Sequence, residues 1–138
     1  MMRAGETVCE APPEAARPAR VSEKLPFVQR LFTRIAPRYD WFNRLASCGL
    51  DQRWRTEALV RGGIRPGQRI LDVCAGTGDL AILCARRQHG VGTVVGIDMN
   101  REMLAFGERK QRAKRLRIDW LQGDAERLPF ASGTFDRV

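Results

Sequence analysis

A chain of 138 residues, 43% of them hydrophobic, corresponds to about one domain with enough apolar material for a core. Its cysteines, Cys9, Cys48, Cys74 and Cys84, contain no C-x-x-C spacing, and its one histidine, His89, sits beside Gly90 in a turn-like stretch. That set offers neither a zinc site, nor a disulfide framework, nor a histidine-based triad, and it predicts free thiols in a reducing, cytoplasmic setting. No segment approaches the roughly 18 consecutive apolar residues of a membrane helix, and no apolar run follows the basic N-terminal residue as in a signal peptide. The formal net charge is +8, and residues 101–118 carry seven basic against two acidic side chains. Such a run reads either as a solvated helix face or as a patch for an anionic membrane surface; without interleaved aromatics it lacks the stacking groups of a nucleic-acid site.

In chain order, residues 1–22 hold Pro12, Pro13 and Pro18 and few large apolar side chains, the composition of a disordered tail. From Phe27 the apolar positions Val28, Leu31, Phe32 and Ile35 recur at helical spacing and predict a helix that stops before Pro37. An aromatic-dense stretch, Tyr39 to Leu45, follows, and Asp51 to Val60 reads as a further helix closed by Gly62-Gly63. Pro66-Gly67 turns the chain into a first strand near Arg69. Thr93 to Asp98 predicts a second parallel strand, Asn100 a cap for a helix from Arg101 to about Arg115, and Ile118 to Gln122 a third strand. Phe135 to Val138 opens a fourth.

The densest signal is Arg69-Ile-Leu-Asp-Val-Cys-Ala-Gly-Thr-Gly-Asp-Leu-Ala81, a buried strand, a glycine turn and the start of an apolar helix. Gly76 and Gly78 allow a sharp turn and close approach of a ligand to the backbone, and Asp98 ends the next strand where a ribose-binding acid would stand. The spacing Gly76-x-Gly78-x-x-Ala81 also satisfies the dinucleotide fingerprint, which keeps a nicotinamide-dependent oxidoreductase, or an inert chain with a vestigial site, open as alternatives. Two carboxylates weigh on the ligand's charge. Asp72 interrupts an apolar strand, and Asp79 stands where a pyrophosphate would rest on the helix N-terminus. A cationic, phosphate-free ligand is favoured, and S-adenosylmethionine fits that chemistry.

With Gly96-Ile-Asp98, Gly123-Asp124-Ala125 and Leu128-Pro129-Phe130 through Phe135-Asp136 following in order, residues 69–138 resemble the class I S-adenosylmethionine-dependent methyltransferases. The preceding Phe32-x-x-Ile35-Ala36-x-x-Tyr39-Asp40-x-x-Asn43, then Ser47, Gly49-Leu50-Asp51 and Arg53-Trp54, is similar to the front of the ubiquinone/menaquinone biosynthesis C-methyltransferases, demethylmenaquinone methyltransferases among them. Phe42 stands where that pattern has methionine, and Asp51 where it has histidine. The resemblance implies an α/β fold, the N-terminal half of a Rossmann-like sheet preceded by a helical lid: a tail over 1–22, a lid and substrate region over 23–65, and a cofactor-binding domain over 66–138. Three strands and the opening of a fourth, out of an expected seven, imply a chain incomplete at its C-terminal side.

Carried onto these positions, the resemblance puts Asp72, Ala75, Gly76, Thr77 and Gly78 near the methionine part of S-adenosyl-L-methionine. Asp98 would accept both ribose hydroxyls, Met99 would pack on the adenine, and Asp124 and Ala125 would read its polar edge. The implied acceptor is a polyprenylated quinol, or another small molecule, with peripheral contact at a membrane. No general base is assigned; Tyr39 and Asp40 are the candidates, and helix capping and packing are their alternative roles.

Overall fold

A computed structural model of the chain describes residues 26–138, so the N-terminal tail lies outside the described residues. The helices are α1 (Pro26–Ile35), α2 (Tyr39–Ala46), α3 (Leu50–Arg61), α4 (Asp79–Gln88) and α5 (Arg101–Ala113), with a single 3-10 turn, Ala36–Arg38, between α1 and α2. The strands are β1 (Arg69–Val73), β2 (Thr93–Asp98) and β3 (Asp119–Gln122). They form one parallel sheet in the order β1-β2-β3, with Leu71 opposite Val95 and Ile97 opposite Leu121. Each strand-to-strand crossover is a helix, as parallel pairing requires.

The core forms where the strands' apolar residues meet α4 and α3. Ile70, Val94 and Ile118 pack with Leu59, Ala81, Ile82, Cys84 and Ala85, all buried. Pro37 ends α1 at Ile35, and Asn100 caps α5, its side-chain oxygen accepting the Met103 N–H at 3.0 Å. The fourth strand begins on the free side of β1: Ile70 bridges Arg137 in parallel register, and Leu71 N–H donates to the Arg137 carbonyl at 2.9 Å.

One packing feature was not visible in the pattern. The Trp120 indole of β3 lies in a slot floored by three glycines, where a Cβ would come within 2.2 Å of the ring at Gly78, 2.6 Å at Gly96 and 2.9 Å at Gly107. Its Nε1–H donates to Gln111 Oε1 at 2.5 Å, so the ring is fixed at both ends. Through this slot the third strand sets the position of the glycine turn.

Candidate functional site

The carboxyl ends of β1 and β2 deliver two loops to the same edge of the sheet. After Val73 the chain passes through Cys74 at φ +58 and Gly76 at φ +56 before Gly78, at φ +76, starts α4. Cys74 is a non-glycine residue held in the left-handed region, a local strain maintained by the surrounding bonds: Ala75 N–H donates to the Ile97 carbonyl at 3.0 Å and Gly78 N–H to the Ala75 carbonyl at 2.8 Å. Asp98 joins the loops directly. One carboxylate oxygen accepts the Gly76 N–H and the other the Asn100 N–H, each at 2.8 Å.

Above this junction is a cavity of about 280 Å³ lined by Phe32, Tyr39, Cys74, Gly76, Asp98, Met99, Asn100 and Met103. The structure therefore brings Gly76, Asp98 and Met99 together with Tyr39. Phe32, Cys74, Asn100 and Met103 join them unannounced, although Phe32 lay on the apolar stripe and Met103 is one helical turn past Met99. Phe32 and Tyr39 meet edge to face, centroids 5.9 Å apart, and form the roof. A Cβ on Gly76 would stand 3.5 Å from the Met103 methyl, so the glycine opens this side of the cavity.

The electrostatics are those of an anionic site. Partial desolvation raises the pKa of the Cys74 thiol, although the residue is exposed overall, and the negative charges of Asp98, Asp72 and Asp124 raise it further. None of the three forms an ion pair among the described residues. Asp124, buried at the end of β3, accepts the Glu126 N–H at 2.9 Å; it and exposed Ala125 are not among the cavity's lining residues. A ligand with positive charge is favoured by this field and a phosphate is opposed by it.

Asp72 is 8% exposed, and its carboxylate accepts the Ala81 N–H at 2.9 Å in the first turn of α4. Desolvation pushes its pKa up to about 6 from 3.8, partly offset by that hydrogen bond, with Asp98 adding repulsion. A folded-state pKa above the unfolded one means that the native chain holds the proton longer, so its contribution to stability is full below pH 4 and is lost as pH rises through about 6. Asp72→Asn keeps an acceptor for Ala81 and removes the buried charge. It is expected to flatten the stability profile between pH 4 and 7 and to gain roughly 2 kcal/mol at neutral pH. Urea titrations across that range check it; a parallel profile in the variant would contradict the assignment.

Thr77, Asp40 and Asp79 form a second cluster. Lys110 Nζ donates to Asp40 at 2.7 Å, to Asp79 at 2.6 Å and to Thr77 Oγ1 at 3.1 Å, while the Thr77 hydroxyl donates to the other Asp40 oxygen. Asp79 also lies 3.9 Å from Arg55, which pairs with Asp51. Asp79 does not cap α4 through its side chain; the N-cap is Gly78, and the carboxylate is engaged with Lys110. The cluster ties α2 to the glycine turn and to α5, and Asn100 Nδ2, donating to Thr33 Oγ1 at 3.0 Å, ties down α1. Of the two base candidates, Tyr39 faces the cavity, whereas Asp40 is held in this cluster. Lys110 was hidden inside the basic run. Lys110→Met is expected to cost about 1 kcal/mol and to speed amide exchange across Tyr39–Ala46 selectively. Uniform protection of α2 in the variant would show that the cluster does not hold it.

The basic run is largely occupied within α5: Arg101 and Arg112 approach Glu108 at 2.5 and 3.7 Å, and Arg109 stacks 4.0 Å over Phe106. His89 is the exposed left-handed C-cap of α4. Cys48 and Cys74 are exposed and Cys84 is buried, all three as free thiols. Among the described residues no helix is long and apolar enough to cross a membrane.

Residues 19–138 match the model of the ubiE/COQ5 methyltransferase family. A demethylmenaquinone methyltransferase of Thermus thermophilus is 46% identical over 108 residues, covering 78% of this chain and 49% of its own length. A 2-phytyl-1,4-naphtoquinone methyltransferase of Synechocystis is 45% identical over 111 residues, covering 79% of this chain and 47% of its own. The chain thus spans about half the length of the curated relatives it matches. A crystal structure from Methanococcus maripaludis, described as a putative S-adenosyl-L-methionine-dependent methyltransferase, superposes with TM-score 0.62 at 20% identity over 75% of this chain and 47% of that one. At that identity the likeness speaks for the fold alone, a class I methyltransferase sheet in part.

Proposed function

Because the chain belongs to the ubiE/COQ5 methyltransferase family, we propose that it forms the cofactor-binding part of an S-adenosylmethionine-dependent C-methyltransferase acting on a polyprenylated quinol ring. The acceptor is a demethylmenaquinol or a ubiquinone precursor, since the relatives' names give quinone methyltransferases. One observation carries the cofactor reading: Asp98, at the end of β2, accepts the Gly76 and Asn100 N–H groups at 2.8 Å each and lines the cavity over the glycine turn, with no cationic partner within ion-pair distance among the described residues. S-adenosylmethionine supplies an electrophilic methyl group on a sulfonium, and a negative field at that position favours it over a dinucleotide.

Each residue then has a task its surroundings can perform. Asp98 retains acceptor capacity beyond its two backbone bonds and takes the ribose hydroxyls. Met99 packs on the adenine beside Met103, with Asp124 and Ala125 at the polar edge of the base. Ala75, Gly76 and Gly78 give close backbone approach to the methionine part, Asp72 sets the potential beneath it, and Thr77 anchors the turn to α2. The lid holding Phe32 and Tyr39 excludes water from the transfer, and the Tyr39 hydroxyl, which lines the cavity, orients by hydrogen bonding the quinol hydroxyl whose proton is lost to solvent to free the ring carbon. The test is methyl transfer by the full-length gene product, followed by mass spectrometry of a demethylated quinol. Gain of one methyl group on carbon, dependent on S-adenosylmethionine, supports the reading; reduction or oxidation of the quinol with no methyl gained refutes it.

A further inference from the structure

Lys110 does not line the cavity over the glycine turn, yet its ammonium nitrogen meets groups from both sides of it. Nζ donates to Asp40 Oδ2 at 2.7 Å, to Asp79 Oδ1 at 2.6 Å and to Thr77 Oγ1 at 3.1 Å. An ammonium has three N–H donors, and here each finds one acceptor: on α2, in the first turn of α4 and in the glycine turn itself. Asp40 adjoins Tyr39, which with Phe32 roofs the cavity. Thr77, 4% exposed, lies between Gly76, whose N–H is held by Asp98, and Gly78, which starts α4. Roof and floor of the Asp98 cavity are therefore joined through a single atom outside it.

The charges around that atom do not cancel. Arg55 is shared between Asp51 and, at 3.9 Å, Asp79, so the network sets the carboxylates Asp40, Asp51 and Asp79 against the cations Lys110 and Arg55, and one negative charge is left over. Part of that excess lies at the N-terminus of α4, where the helix dipole favours it. Without Lys110, Asp40 would lose its ion-pair partner and would face Asp79 across a gap now spanned by one nitrogen. Repulsion between the two would then push α2 from the turn. Arginine could not replace the lysine by charge alone, because its planar fork suits the two oxygens of one carboxylate and not three acceptors converging on a point. We infer that Lys110 is a positioning residue of the cofactor site, which holds the lid closed over the bound cofactor and so sets how long the cofactor stays. That role presupposes the S-adenosylmethionine reading of the cavity and adds to it a control of release by a side chain that touches no ligand. The ligand leaves between roof and floor, so its departure follows the opening of the network.

The experiment is a chase of tritiated S-adenosylhomocysteine from the full-length gene product by excess unlabelled ligand, with the dissociation rate as the readout. Lys110→Met is expected to release the ligand about tenfold faster, the size of a coupling within one hydrogen-bonded network, and Lys110→Arg at a rate between the two. Tyr39→Ala takes away part of the roof, and in that background Lys110→Met is expected to add little, because the lysine acts through the lid. Gly67→Ala, at the amino end of β1 and so at the opposite edge of the sheet, also costs stability and is expected to leave the rate unaltered. An unaltered rate in Lys110→Met would overturn the assignment and leave the cofactor reading in place. So would an unaltered rate in Lys110→Arg, which would make charge alone sufficient, and so would an equal acceleration in Gly67→Ala, which would make the effect one of stability. Full additivity of Lys110→Met with Tyr39→Ala would detach the lysine from the lid and refute it as well. No binding of S-adenosylhomocysteine by the unaltered protein would instead refute the cofactor reading, and the role of Lys110 with it.

Discussion

Replacing Gly78 with alanine is expected to cost the chain roughly 2–5 kcal/mol of stability, read from urea unfolding. Two separable effects add. The residue sits at φ +76, where a Cβ costs about 1–2 kcal/mol, and the new carbon would stand 2.2 Å from the Trp120 ring, an overpacking worth about 1–3 kcal/mol more. Gly67 separates them, because at φ +87 a Cβ placed there would meet nothing within 4 Å, so Gly67→Ala is expected to show the backbone part alone. Shortening the ring with Trp120→Phe in the Gly78→Ala background should recover part of the packing cost and none of the backbone cost. Equal losses for Gly78→Ala and Gly67→Ala would show that the indole does not press on the turn.

Asp98→Ala is expected to weaken binding of S-adenosylhomocysteine by roughly 1.5–3 kcal/mol, about ten- to a hundredfold, the range for hydrogen bonds to a charged group. The same carboxylate holds the Gly76 and Asn100 N–H groups, so the substitution also frees the turn and the start of α5. Asp98→Asn distinguishes the two roles. Its one carbonyl oxygen can serve only part of the acceptor work and carries no charge, so affinity is expected to fall with a smaller stability loss than in Asp98→Ala. Calorimetric titration of both folded variants checks this, and unchanged affinity would remove Asp98 from the site.

Local signals made the framework legible. The apolar run Ile70 to Val73, the Gly76-Thr77-Gly78 turn and the run Thr93 to Asp98 each announce an element through spacing of two to ten residues, and the sheet follows from parallel crossovers. Asn100 was recognisable as a cap because capping acts within one turn. Interactions between residues distant in the chain left no such trace. Lys110 reaches Asp40 across 70 positions and Asp79 across 31, and in sequence it is one cation among several in a basic run. The Trp120 slot depends on Gly78, Gly96 and Gly107 from three elements, so no local pattern announces it. Thr77 shows the limit of a motif, since its place in the glycine turn suggests the cofactor while its hydroxyl is bonded to Asp40.

Everything proposed for the site depends on the junction of Gly76 and Asp98 holding a cationic, phosphate-free nucleoside cofactor, and the cavity that would hold it is lined wholly by residues between Phe32 and Met103. Calorimetric titration of the full-length gene product with S-adenosylmethionine and, in parallel, with NAD puts that dependence to the test. Saturable one-to-one binding of S-adenosylmethionine, weakened in Asp98→Ala, is the expected result, with no heat of binding for NAD. Binding of NAD in preference, or of neither ligand by the folded gene product, would contradict it.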